Sequence, residues 1–157
     1  MTDRARLDVN LNNATVLITG GSAGIGRSIA ASLVSAGARV AITGRDQRKL
    51  TEAAAALGAH PIRADVANEA DVIRTYEEFM RAFGHLDVLV NNAGFGIFKA
   101  LIDTDRDSFD AVFATNVTGA MLVRNFEESR TLIHIHQPEL FRRNWQVDGR
   151  DRVTMSS

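Results

Sequence analysis

The stretch Thr19-Gly20-Gly21-Ser22-Ala23-Gly24-Ile25-Gly26, with the segments on either side of it, limits the fold more than any other feature of the chain. Before it, Val16 to Thr19 is a short apolar, β-branched run, which predicts a buried strand. After it, Ile25, Ile29 and Leu33 recur every four residues, which predicts a helix with those three on one face. Gly37 then ends the helix. The alternation repeats. Arg39 to Thr43 predicts a second strand, Gln47 to Leu57 a second helix stopped by Gly58, and His60 to Ala64 a third strand. Asn68 is placed to cap a third helix, whose inward face is Val72, Ile73, Tyr76, Phe79, Met80 and Phe83 and which Gly84 closes. Leu86 to Asn91 predicts a fourth strand. Strands and helices alternating in units of this size imply βαβ crossovers. The expected fold class is therefore α/β, a doubly wound parallel sheet with helices on both faces.

Further along, Thr104 and Asp107 predict the start of another helix, running through Phe109, Phe113, Val117 and Met121. Past Arg124 the periodicity decays. Thr131 to Ile135 reads as a strand, Glu139 to Trp145 as a turn or two of helix, Gln146 to Asp151 as a polar turn and Arg152 to Met155 as the start of a strand. A chain of 157 residues holds one domain with a sizeable core. Formal net charge is −1, which gives no general attraction to nucleic acid or to an anionic membrane. The absence of cysteine removes disulfides, thiolate metal sites and a thiol nucleophile. No apolar run is long enough to span a bilayer, and Met1 to Asn13 has no apolar stretch like that of a secretory signal. A cytoplasmic location is expected.

Glycines at a strand-to-helix turn permit a sharp bend and let the backbone come close to a ligand. The helix that follows offers unpaired N–H groups and a partial positive charge, which suit a pyrophosphate. A glycine-rich stretch alone is equally a plain turn. Its position between an apolar strand and a helix makes it a candidate nucleotide site. The second strand ends at Thr43-Gly44-Arg45-Asp46. An acid at such a point binds the ribose hydroxyls of NAD, whereas arginine suits the 2′-phosphate of NADP in charge and fork geometry. Arg45 is the candidate for that phosphate. Asp46 lies close enough to serve as the acid, and the plain alternative for Arg45 is a solvated loop residue.

The spacing TGxxxGIG resembles the cofactor loop of the short-chain dehydrogenase/reductase family, with Gly20, Gly24 and Gly26 as its glycines. Asp65, in Ala64-Asp65-Val66, is similar to the family's acidic residue that touches the adenine ring. Asn91-Asn92-Ala93-Gly94 resembles the motif that stabilises the family's central sheet and lies beside the cofactor. Asn116, in Thr115-Asn116-Val117, resembles the catalytic asparagine that holds a water in a proton relay. Singly, these residues read as a loop cap, turn formers and a helix-surface amide. In this order behind the glycine loop they are specific, and they cover Asn13 to about Val123, leaving 124–157 as a divergent segment. The resemblance implies a Rossmann-type sheet in the order 3-2-1-4, with Arg152 to Met155 as a short fifth strand beside the fourth. It implies a cofactor site of Gly20, Ser22, Gly24, Ile25, Gly26, Arg45, Asp65, Val66, Asn92, Ala93 and Gly94. Gly44 stands where NAD-selective members carry an acid, so NADP(H) is expected ahead of NAD(H). The implied reaction is hydride transfer between that cofactor and a small carbonyl or alcohol.

The family's chemistry also needs a serine, a tyrosine and a lysine, the last two as YxxxK. This chain has one tyrosine, Tyr76, and the residue four later is Met80. Thr154-Met155-Ser156-Ser157 resembles the family segment whose last serine is catalytic, which assigns that role to Ser157. The interval from Asn116 to Ser157 exceeds the family's usual spacing, with the excess falling within Arg124 to Gln137. The expectation is the front part of a short-chain dehydrogenase, cut short before YxxxK and inactive alone. A non-catalytic dinucleotide-binding regulator and a subunit completed by a partner are the alternatives. Apolar residues Phe113, Val117 and Met121, left uncovered, are expected to drive self-association. His134 and His136 alternate but have no placed third ligand, so no metal is expected. Trp145 with Phe141, Arg142 and Arg143 is too small a group to argue nucleic-acid binding from, and no nucleic-acid partner is expected.

Overall fold

The computed structural model describes residues 11–128, 145–147 and 153–155. The strand expected at Thr131 to Ile135, all but the last residue of the helical turns expected at Glu139 to Trp145, and Ser157 lie outside the described residues. β1 (Thr15–Ile18), β2 (Arg39–Gly44) and β3 (His60–Arg63) are linked by α1 (Gly24–Ser35) and α2 (Gln47–Leu57). After β3, α3 (Glu69–Phe83) carries the chain back to β4 (Val88–Val90). The four strands are parallel in the order β3-β2-β1-β4, with Leu17 opposite both Ala41 and Leu89. The chain thus steps outward from β1 to β3 and then crosses to the other side of β1. That reversal opens a crevice at the carboxyl ends of β1 and β4, where ligands bind in open parallel sheets.

Side-chain alternation divides the core. Val16, Ile18, Val40 and Ile42 pack with Ala30, Leu50, Ala53 and Ala54 of α1 and α2. Leu17, Ala41 and Ile62 pack on the other face with Phe79 of α3. With both faces covered, β1, β2 and β4 carry the apolar runs 16–18, 40–42 and 88–90, whereas the edge strand β3 buries only Ile62. Asn68 caps α3, its side-chain oxygen accepting from the Asp71 N–H at 3.0 Å. Gly58 and Gly84 end α2 and α3 as expected.

Four expectations need correction. Ile25 does not share an inward face with Ile29 and Leu33: it is 75% exposed. It sits in the first turn of α1, over the ends of the strands, where there is no sheet to pack on. Ile73 is also exposed, and Thr75 takes the inward position between Val72 and Phe79. Its hydroxyl donates to the Asp71 carbonyl at 2.7 Å, which satisfies the buried oxygen. The next helix, α4 (Arg106–Phe113), is capped by Asp105 rather than Thr104, with a carboxylate oxygen accepting from the Ser108 N–H at 2.7 Å. Finally, β6 (Val153–Met155) does not join β4. It pairs antiparallel with β5 (Trp145–Val147) in a separate two-stranded sheet, so Trp145 and Gln146 are strand rather than helix and turn. The five residues between these strands are a hairpin-length separation, and local pairing closes at less entropic cost than a return to the main sheet.

Between α4 and α5 (Ala120–Glu128) lies a π-helical turn, Ala114–Gly119. It brings Val123 against Val66 and Val72 in a third apolar cluster. Gly119 is the closest point of approach. A Cβ there would lie 2.8 Å from a Val66 methyl and 3.0 Å from the Val66 carbonyl oxygen. One of those atoms is backbone, so relief requires moving the loop after β3. Gly119→Ala is expected to cost about 1–3 kcal/mol by overpacking, less up to about 1 kcal/mol of improved helix propensity. A drop in the urea midpoint checks this, and an unchanged or raised midpoint would refute it.

Candidate functional site

The glycine turn leaves β1 at the crevice and is fastened to the end of β4 by two side chains. The Thr19 hydroxyl oxygen accepts from the Asn92 N–H at 3.1 Å and the Ala93 N–H at 3.0 Å. The Asn92 amide donates back to the Thr19 carbonyl at 3.0 Å and the Gly20 carbonyl at 3.1 Å. Gly20 turns through left-handed backbone, φ 69°. Gly26, buried in the first turn of α1, packs directly on this knot: a Cβ there would lie 2.3 Å from the Asn92 amide nitrogen and 2.5 Å from the Gly20 carbonyl oxygen. Helix α1 therefore starts at a fixed place above the strand ends.

No side chain caps that start. The residue before α1 is Ala23, and its first turn carries no acid. By contrast, Asp46, Asn68 and Asp105 each cap their helices. The α1 terminus leaves N–H groups and positive partial charge facing the crevice, where an exogenous anion can satisfy them.

Beside the turn is an open cavity of about 150 Å³, lined among others by Gly20, Ser22, Arg45, Asp65, Val66 and Gly94. Six of the sequence-predicted residues thus meet in one place. Gly24, Ile25, Gly26, Asn92 and Ala93 line the turn and its fastening instead. Gly44 lies against Ser22, and a Cβ at Gly44 would come 3.0 Å from the Ser22 hydroxyl oxygen. Arg45 approaches Asp65 at 3.9 Å and lies 5.9 Å from the Phe95 ring centroid. Asp65 itself accepts from the Ala67 N–H at 3.0 Å. Asp46 is otherwise engaged. Its carboxylate accepts from the Lys49 N–H at 3.1 Å, and that bond holds its pKa below the usual carboxylate range.

Asn116 sits on the π-helical turn, outside this cavity. Its side-chain oxygen accepts from the Phe95 N–H at 3.0 Å and its amide donates to the Phe95 carbonyl at 2.9 Å. It therefore fixes the loop after β4. Tyr76 lines a different cavity, an apolar one on the α3 side of the sheet with Leu17, Leu86, Leu89 and Val123. Sequence reading placed Thr19 in the motif and Phe95 at the border of a pocket, but assigned neither of them a contact. Thr19 stands directly before the glycines and Phe95 directly after Gly94, and that adjacency was the available signal.

The family model described as short chain dehydrogenase matches residues 14–126. The chain is similar to glucose 1-dehydrogenase of Gluconobacter oxydans, 43% identical over 113 residues, covering 68% of this chain and 42% of that protein. It is similar to the short chain dehydrogenase/reductase dpmpG of Macrophomina phaseolina, 35% identical over 137 residues, covering 83% of this chain and 77% of that one. Among solved structures it resembles the 3-ketoacyl-(acyl-carrier-protein) reductase of Brucella melitensis complexed with NADH. There the TM-score is 0.73 at 33% identity, covering 74% of this chain and 50% of that chain. The chain spans about half the length of most of the curated relatives it matches. A parallel sheet with its glycine turn fastened at the β1–β4 crevice, matched along its whole extent by this family, leaves one assignment: the chain belongs to the short-chain dehydrogenase family.

Proposed function

We infer that residues 11–128 are the nicotinamide-dinucleotide site of an oxidoreductase that takes NADP(H) in preference to NAD(H). The whole protein would exchange hydride between it and a small carbonyl or alcohol. The observation that carries this is the uncapped start of α1, clamped by Asn92 over the crevice. Gly20, Ser22, Gly24, Ile25 and Gly26 would take the pyrophosphate, and exposed Ile25 would form an apolar surface over the strand ends. Asp65 and Val66 would meet the adenine, and Asn92, Ala93 and Gly94 would border the ribose. The nicotinamide supplies the hydride. Asn116 would position the loop after β4 and serve a proton relay, in which Ser157 is the second residue assigned by resemblance.

The NADP preference rests on Gly44, Arg45 and Asp46 together. Gly44 has no acid to offer, and Ser22 crowds the space an acid there would enter. Asp46 is held at the start of α2. Arg45 is left as the cationic side chain lining the cavity, and its guanidinium suits a 2′-phosphate. Calorimetric titration with both dinucleotides tests this. NADP⁺ is expected to bind at least about tenfold more tightly than NAD⁺, and Arg45→Ala to remove most of that ratio, as loss of a charge-assisted contact implies. Equal affinities in the unaltered chain would refute the preference.

No helix among the described residues is long and apolar enough to cross a membrane. Exposed apolar surface supports a protein partner. Phe109, Phe113, Val117 and Met121 form an exposed row, and the Phe109 and Phe113 rings stack at 4.3 Å. A four-residue step overshoots an α-helical turn by about 40°. The wider π-helical turn undershoots, so it returns Val117 to the line of the row. Such a row favours association of chains. Light scattering is expected to show dimers or larger species that Phe113→Glu shifts toward monomer. A monomer whose mass does not change with concentration would exclude it.

A further inference from the structure

Three loops converge on the 150 Å³ cavity, and each contributes one side chain to a contact that crosses it. Arg45 follows β2, Asp65 follows β3 and Phe95 follows β4. The guanidinium of Arg45 is 3.9 Å from the Asp65 carboxylate and 5.9 Å from the centroid of the Phe95 ring. All three are held by their backbones. The Arg63 side chain donates to the Arg45 carbonyl at 3.2 Å, the Asp65 N–H donates to the Asp71 carboxylate at 2.9 Å, and Asn116 grips Phe95 through both its N–H and its carbonyl. What is free to move is the Arg45 side chain, which is 65% exposed.

We propose that Arg45 is a latch on Asp65: with no 2′-phosphate present it pairs with the Asp65 carboxylate across the adenosine cavity, and a 2′-phosphate draws it off and releases that carboxylate for the adenine amino group. This rests on the NADP reading above and deepens it. Phosphate and carboxylate compete for one guanidinium. A phosphate carries more charge and accepts a bidentate fork, whereas the pair with Asp65 is a single long contact in water. NADP⁺ therefore opens the latch with its own phosphate. NAD⁺ has no group that replaces the carboxylate and must break the pair unaided. Arg45 would act twice on cofactor choice, by attracting one dinucleotide and by obstructing the other, as selective sites commonly do. One oxygen of Asp65 stays bonded to the Ala67 N–H, so the carboxylate keeps its orientation when the arginine leaves.

Attraction alone and a latch differ in what happens to NAD⁺. If Arg45 only attracts the 2′-phosphate, Arg45→Ala leaves NAD⁺ affinity unchanged. If it is a latch, NAD⁺ binding tightens by about two- to fivefold, the range of an exposed ion pair. The gain should vanish in an Asp65→Asn background, which has no charge to latch and retains an oxygen for the Ala67 N–H. Calorimetry of NAD⁺ and NADP⁺ on the unaltered chain, Arg45→Ala, Asp65→Asn and the double variant supplies the cycle. NADP⁺ preference with a gain for NAD⁺ confined to the Asp65 background supports the latch. NADP⁺ preference with NAD⁺ unmoved, or a gain that persists in Asp65→Asn, overturns the latch and leaves the cofactor reading standing. No binding of either dinucleotide to the folded chain overturns both.

Discussion

Replacing Gly26 with alanine is expected to weaken dinucleotide binding by at least about a hundredfold, near 2.7 kcal/mol, while leaving the sheet folded. The added methyl would lie 2.3 Å from the Asn92 amide nitrogen and 2.5 Å from the Gly20 carbonyl oxygen. The second of these is backbone, and the first is no flexible tip, because that nitrogen is bonded to the carbonyls of both Thr19 and Gly20. Relief therefore takes one of two forms. Asn92 swings away and leaves two part-buried carbonyls unpaired, at about 1–3 kcal/mol for each group left unsatisfied. Otherwise α1 lifts off the turn and carries its N–H groups out of line with the crevice. Either way the phosphate cradle is lost, and the geometry leaves no third way. Gly24 is the contrast. A Cβ there meets nothing within 4 Å, although its φ is 55°, so Gly24→Ala pays only left-handed backbone strain of about 1–2 kcal/mol. Calorimetric titration with NADP⁺, with circular dichroism to confirm folding, should rank Gly26→Ala well below Gly24→Ala. The reverse order, or unimpaired binding in Gly26→Ala, would show that the turn is not held by the Asn92 knot.

The strand–helix alternation was legible because each element carries its own signal. β1, β2 and β4 carry apolar runs, and Gly58, Gly84 and Asn68 mark helix ends where the structure has them. The glycine turn and the Asn92 motif were legible as sequence, but their fastening was not. Thr19 and Asn92 meet across 73 residues of chain, the hydroxyl of one taking the backbone N–H of the other and the side-chain amide reaching back to a carbonyl, and no local pattern encodes that. Ile25 shows how periodicity misleads at a helix end. Its spacing matches Ile29 and Leu33, yet the first turn overhangs the sheet, so the apolar side chain is left exposed. The π-helical turn at Ala114–Gly119 has no propensity signature. It becomes intelligible only once Gly119 is seen against Val66 on one side and Asn116 against Phe95 on the other. The pairing of β5 with β6 was missed for a different reason: an apolar strand start gives no information about which edge it will join.

A polypeptide of these 157 residues is expected to bind NADPH without oxidising it against any aldehyde or ketone. Carbonyl reduction needs a hydride donor held in line and a proton donor at the developing alkoxide. General acid catalysis typically contributes about 10²–10⁴-fold, and positioning of the carbonyl can contribute more. The only tyrosine in the sequence is Tyr76, followed four residues later by Met80 rather than lysine. It lies on α3, lining the apolar cavity against Leu17, Leu86 and Leu89, not the polar cavity beside the glycine turn. Tyr76 is not among the residues that line the cavity beside the glycine turn, and α3, which carries it, is anchored to the sheet by buried Phe79. Asn116 does not replace it. Both polar atoms of its side chain are bonded to the Phe95 backbone, and an amide is not an acid at neutral pH. The measurement is NADPH absorbance against a panel of carbonyl compounds, with Tyr76→Phe and Asn116→Ala as controls. Flat traces from a chain that binds NADPH are the expected outcome. Steady oxidation that survives repurification and falls in either variant would mean that one of these two side chains reaches the substrate after all, and that the proton comes from a place the structure does not put it.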